Sequence, residues 1–114
     1  MNKSEKNQRW VFSDEVDGEA VAEGVSRKIL AYCDGLMCVE NAFEQGAIGA
    51  MHSHPHTQIT YVASGAFSFT IGDVTKVVRK GDAMLKQDEV MHGCVCIEPG
   101  VLIDMFTPMR EDFV

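Results

Sequence analysis

Residues 46–65 read GAIGAMHSHPHTQITYVASG. Five residues separate Gly46 from His52, and six separate Gln58 from Gly65. His52, His54 and Gln58 have the same parity, so on an extended chain their side chains share one face. Further along, Gly81 and, after ten intervening residues, His92 offer a fourth polar side chain from a distant strand. Burying four such groups together is unfavourable unless they share a partner. Neutral imidazole nitrogen is the commonest protein metal ligand, and an amide oxygen can complete the set. His52, His54, Gln58 and His92 are therefore expected to hold one divalent metal inside a small β structure. With glutamine instead of a carboxylate, the ion keeps nearly its full charge. That suits a Lewis acid polarising a substrate oxygen. Nickel, zinc, iron, cobalt and manganese all fit nitrogen-rich ligation. His56 has the right parity but follows Pro55, which disturbs a strand. It is expected at the pocket mouth or behind the ligands. Cys94 and Cys96 share the parity of His92; a buried free cysteine is usually a small hydrophobe, and they are read that way.

Outward from this stretch, short apolar runs alternate with turn signals, and no long helical period stands out. Strands are expected near 27–32, 36–43, 59–63, 66–71, 74–78, 83–85, 92–97 and 101–106. The punctuators are Asp34-Gly35, Gly46 to Gly49, Ser64-Gly65, Gly72-Asp73, Lys80-Gly81-Asp82 and Pro99-Gly100. Gly72-Asp73 has the form of a two-residue hairpin. About eight strands at this spacing predict an all-β sandwich or small barrel. Residues 14–24, acidic and broken by glycine, read as a surface excursion. Residues 1–25 are expected to be an N-terminal extension and 26–114 the barrel. Trp10, Val11 and Phe12 are candidates for an edge or swapped strand, or for docking on a second subunit of a homodimer.

The chain has 114 residues, enough for one domain with one core. Its net charge is −7. That argues against nucleic acid and against an anionic membrane surface. An anionic small molecule would need local positive charge. The opening MNKSEKNQRW has no signal-peptide pattern, and no apolar run approaches a membrane span. The four cysteines, Cys33, Cys38, Cys94 and Cys96, form no zinc-type pair and read as reduced thiols of a cytoplasmic protein.

A second constellation lies near the C-terminus, in VLIDMF, residues 101–106. A carboxylate within an apolar strand needs a partner or a function. Asp104 shares its parity with Leu102 and Phe106. If that face looks inward, Asp104 enters the metal cavity as a possible general acid/base; otherwise it is a strand-end carboxylate or the partner of an arginine. Arg110 is either an ordinary surface charge or a bidentate clamp for a substrate carboxylate.

These residues resemble the cupin superfamily. Its first motif, G-x5-H-x-H-x3,4-E-x6-G, matches Gly46 to Gly65 with Gln58 in place of glutamate. Its second, G-x5-P-x-G-x2-H-x3-N, matches at Gly81 and His92. Gln87, Glu89 and Cys96 stand where proline, glycine and asparagine are usual. From about Arg27 onward the chain also resembles the KdgF pectin-degradation family, through RKILAY at 27–32, HSHPHTQ at 52–58 and DMFTPMREDF at 104–113. The resemblance implies a jelly-roll barrel and an enzyme acting on 4,5-unsaturated uronic acid monosaccharides from pectin or alginate. Such enzymes give the linear keto form, a 4-deoxy-5-hexosulose uronate. By position, His52, His54, Gln58 and His92 would hold the metal, Asp104 would move protons, Phe106 would shape the pocket and Arg110 would hold substrate. Arg110, Arg79 and Lys86 are the cations available for the uronate carboxylate. The alternatives are another small-molecule cupin enzyme (dioxygenase, isomerase or lyase) and a non-catalytic cupin that binds a sugar acid.

Overall fold

Along 57–62 burial alternates residue by residue. Gln58, Thr60 and Val62 are buried, while Thr57, Ile59 and Tyr61 are exposed. This is the period of a strand with one face on a core. The computed structural model describes residues 2–114. The strands are β1 (Glu19–Ala22), β2 (Val25–Cys33), β3 (Leu36–Phe43), β4 (Ile48–His52), β5 (Thr57–Ile71), β6 (Val74–Arg79), β7 (Ala83–Lys86) and β8 (His92–Thr107). Two single-turn 3-10 helices, Ser13–Glu15 and Glu111–Phe113, flank them. No helix among the described residues is long and apolar enough to cross a membrane.

Every pairing is antiparallel, and β5 and β8 are each other's main partner. The first half of β5 pairs β7, and its second half pairs β6. The first half of β8 pairs β4, and its second half pairs β3, which continues to β2 and β1. The two long strands thus run through both layers of an all-β jelly-roll sandwich. Between the layers lies a core that includes Phe43, Val62, Phe67, Phe69, Cys94, Cys96 and Leu102. Phe43 and Phe67 meet edge to face at 5.3 Å. Met37, Val39, Phe106 and Met109 form a second cluster beneath the C-terminal segment.

Three expectations about strands need correction. Ser64-Gly65 and Pro99-Gly100 do not end strands; they are corners within β5 and β8. Register shifts between Val62 and Phe67 mark bulges. Before them even-numbered residues of β5 point inward, and after them Phe67 and Phe69 do. A bulge lets a strand bend and change its inward face while it stays paired. The corner needs glycine because the backbones nearly touch: a Cβ on Gly65 would lie 2.6 Å from the Glu98 carbonyl oxygen, and its φ is +80°. Second, Ile48–His52 is a strand, although its glycines suggested a turn. Third, the acidic excursion contains β1, wholly exposed and held by β2 alone. Within the chain itself residues 10–12 form no strand, and Trp10 and Phe12 lie exposed. The Gly72-Asp73 hairpin forms as expected, with Ile71 opposite Val74.

Replacing Gly65 with alanine adds a left-handed backbone penalty to a backbone clash. The expected loss is roughly 2–4 kcal/mol, with an unchanged denaturant slope. Urea unfolding measures both, and a loss below about 0.5 kcal/mol, the usual range for a neutral surface change, would contradict the close-crossing account.

Candidate metal centre and its cavity

His52 ends β4 directly opposite His92, which begins β8, and their ring centroids are 4.4 Å apart. His54 lies in the irregular link between β4 and β5, its ring 5.0 Å from His92 and 5.7 Å from His52. One ring nitrogen from each of the three lies within 4.8 Å of the others. Gln58 enters from the start of β5, its amide oxygen 2.8 Å from His54 Nε2. The expected residues meet, but not along one extended stretch. The chain leaves β4 at His52 and enters β5 at Thr57, with Pro55 between, so shared parity was not what assembled them.

Backbone carbonyls orient all three rings. His52 Nδ1 lies 2.8 Å from Ala50 O, His54 Nδ1 3.0 Å from His56 O, and His92 Nδ1 3.0 Å from Val90 O. A carbonyl oxygen only accepts, so each Nδ1 carries the hydrogen and each neutral ring keeps its lone pair on Nε2. Burial holds the His54 pKa below its ordinary value and pushes that of His92 down to about 4, keeping both rings neutral. His92 Nε2 is buried with no protein partner. His56 thus contributes its backbone carbonyl behind His54, while its ring packs 6.3 Å from Phe106.

The Gln58 amide is fixed in turn by Thr60. Thr60 Oγ1 has one hydrogen and gives it to Asp104 Oδ1 at 2.5 Å. It accepts from Gln58 Nε2 at 3.2 Å and from the buried Lys86 ammonium. Reversing the amide would set two acceptors, Gln58 Oε1 and Thr60 Oγ1, against each other. So Gln58 Oε1 must face His54 Nε2, lone pair against lone pair, at hydrogen-bonding distance. A cation bound to both removes that conflict. Three free imidazole nitrogens, one of them a buried orphan, and an amide oxygen with no hydrogen to accept make a donor set that fits a divalent metal.

The strand register explains how these groups reach one face. Across the sheet, Phe106, Gln58 and Lys86 form one row, and Asp104 and Thr60 the next. Asp104 Oδ2 accepts from Asn41 Nδ2 at 2.8 Å. The histidines 52 and 92, Gln58, Asp104, Phe106 and Arg110 border one cavity of about 340 Å³. That lies within the ~300–1,000 Å³ usual for ligand pockets. Arg110 is tied to Asp112, with Nε donating to Oδ1 at 2.9 Å and Nη2 to Oδ2 at 2.8 Å. Cys94 borders the cavity too, but burial pushes its thiol up to about 11, which disfavours a thiolate.

Two of the three cations considered for a substrate carboxylate are misplaced. Arg79 is exposed at the end of β6 and does not border the cavity, and Lys86 is buried beneath Thr60. Three residues went unnoticed in the sequence. Thr60 follows Gln58 along β5, Asn41 lies on β3, and Arg27 lines the cavity from β2. Thr60 alone left a usable trace, since it repeats the inward parity of Gln58.

A family model described as a cupin domain matches residues 40–106. The chain is 43% identical over 108 residues to the pectin degradation protein KdgF of Dickeya dadantii (strain 3937), covering 93% of this chain and 98% of that protein. Two solved structures superpose closely. An RmlC-like cupin from Shewanella frigidimarina NCIMB 400 has a TM-score of 0.92 and 38% identity, covering 96% of this chain and 98% of that one. KdgF from Halomonas sp. has a TM-score of 0.91 and 36% identity, covering 95% of this chain and 100% of the other.

Elemental analysis of purified protein is expected to find about one divalent ion per chain and little in His92→Ala; undiminished metal in that variant would exclude the three-histidine cluster. Lys86 gives a pH signature. Burial depresses its pKa from 10.5 to about 8. Below 8 the ammonium is charged in both folded and unfolded states, and its desolvation penalty is constant. Between 8 and 10.5 the unfolded chain binds the extra proton, so stability rises with pH there. Buried thiols oppose that rise in the same range, so the lysine is read from a difference: in thermal melts of the metal-free proteins, wild type should gain stability relative to Lys86→Met as pH goes from 8 to 10.5. Parallel pH profiles would refute a buried, depressed lysine.

Proposed function

Since the chain belongs to the cupin domain family, and within it to the family of KdgF, we propose that it is a metal-dependent enzyme of uronate breakdown. The reaction converts a 4,5-unsaturated uronic acid monosaccharide to the linear 4-deoxy-5-hexosulose uronate. The observation that carries this reading is one cavity bordered by the histidine cluster, by Asp104 and by arginine. The likeness to two proteins named KdgF supports it. His52, His54, His92 and Gln58 would hold the ion. Bound there, a divalent metal supplies Lewis acidity toward substrate oxygens.

The rest of the chemistry falls to the chain's own groups. The net change is an isomerisation, so no atom is gained or lost. Asp104 accepts one hydrogen bond on each oxygen, from Thr60 and from Asn41, which fixes its plane and leaves lone pairs free. It takes the proton of the anomeric hydroxyl. The C1–ring oxygen bond breaks as the C1 carbonyl forms, and the electron pair stays on the enol oxygen at C5. Asp104 then returns the proton to C4, and the C5 ketone results. Phe106 gives the ring an apolar wall. The four free cysteines suit a reducing cytoplasm.

The test follows the loss of ultraviolet absorbance of 4,5-unsaturated galacturonate against its spontaneous rearrangement. Metal-loaded protein is expected to accelerate it strongly. Asp104→Asn should keep its metal and lose roughly 10²–10⁴ in kcat. Normal turnover in that variant would remove Asp104 from the mechanism. No acceleration by wild-type protein with full metal would remove the ketonising reaction itself.

A further inference from the structure

Among the described residues, only two of the chain's ten lysines and arginines border the cavity, Arg27 and Arg110. Their situations differ. Arg110 already faces the Asp112 carboxylate with two parallel hydrogen bonds, which largely neutralise it. Arg27 makes no ion pair within 4.0 Å among the described residues, and its buried Nε–H has no acceptor. Both guanidinium groups rest on the Phe113 ring, with Cζ 3.8 Å and 4.3 Å from its centroid. Two cations and one carboxylate around a single ring leave an excess positive charge in a protein of net charge −7. Arg27 is half-buried, and a guanidinium whose buried Nε–H lacks an acceptor is unfavourable unless an anion completes it. The stacking on Phe113 orients the fork but satisfies none of its N–H groups.

Arg27 also borders a smaller cavity under the N-terminal segment. That side is lined by Asp17 and Glu19, which repel an anion. On the metal-site side Asp112 faces Arg110 and Asp104 borders the cavity, while among the described residues no carboxylate lies within 4.0 Å of the Arg27 guanidinium.

Building on the function proposed above, we propose that Arg27 is the residue that binds the substrate's carboxylate, with Arg110 held beside it by Asp112. The site then selects a monosaccharide acid over a neutral sugar.

Calorimetric titration of metal-loaded protein with D-galacturonate and with its methyl ester tests this. Wild type is expected to prefer the acid. Arg27→Met should weaken acid binding roughly ten- to hundredfold, the range for charge-assisted hydrogen bonds. Arg27→Lys should recover part of it, because an ammonium restores the charge but not the fork. The ester should bind wild type and both variants alike. With 4,5-unsaturated galacturonate, the Arg27→Met loss should fall mainly on KM rather than kcat. An acid preference that survives in Arg27→Met would overturn the proposal, as would a wild type with no preference for the acid over the ester. Because the acid–ester comparison in wild type needs no variant, misfolding of a mutant leaves it intact. An Arg27-dependent acid preference in a protein that fails to accelerate the rearrangement would support this carboxylate site and overturn the ketonising reaction alone.

Discussion

The Thr60 hydroxyl has one hydrogen, and the arrangement of the site follows from where that hydrogen goes. Asp104 receives it, so the two remaining acceptor positions on Oγ1 take Lys86 and Gln58. The Gln58 amide is thereby turned so that its oxygen meets the histidines. One hydroxyl so links the proposed metal ligands to the proposed proton carrier. Fully used polar networks of this kind specify one arrangement, because every alternative leaves a buried group unsatisfied.

The same hydroxyl accounts for a buried lysine behind the site. The Lys86 ammonium sits below Thr60 and 4.8 Å from the Phe69 ring centroid, without a carboxylate in contact. Its attraction to Asp104 opposes the burial that depresses its pKa. Asp104 therefore has the attraction of Lys86 behind it, while Arg27 and Arg110 border the cavity itself. In an acidic chain the proposed anionic substrate depends on these few local cations, since the net charge of the whole protein opposes it.

Continuity of β5 and β8 through both layers brings these groups together. A turn at Gly65 would have placed Gln58 and Thr60 on one hairpin and the Phe67 core on another. The bulged corner, with its glycine against the facing carbonyls, keeps a single strand carrying site residues at one end and core residues at the other. β8 does the same with His92 at its start and Asp104 and Phe106 near its end.

The sequence by itself was enough for the all-β class, the Gly72-Asp73 hairpin and the three histidines with Gln58. Each of these is written in local alternation, turn chemistry or residue type, and short-range physics decides them. It misled at Ser64-Gly65 and Pro99-Gly100, where glycine serves a close crossing between strands distant in the chain instead of a local turn. It offered Lys86 only as a cation for the substrate carboxylate and gave Arg27 no role, because the importance of both lies in what faces them. Which cation is already paired, which hydroxyl is saturated and which imidazole is orphaned depend on neighbours from other strands, so only the tertiary structure decided them.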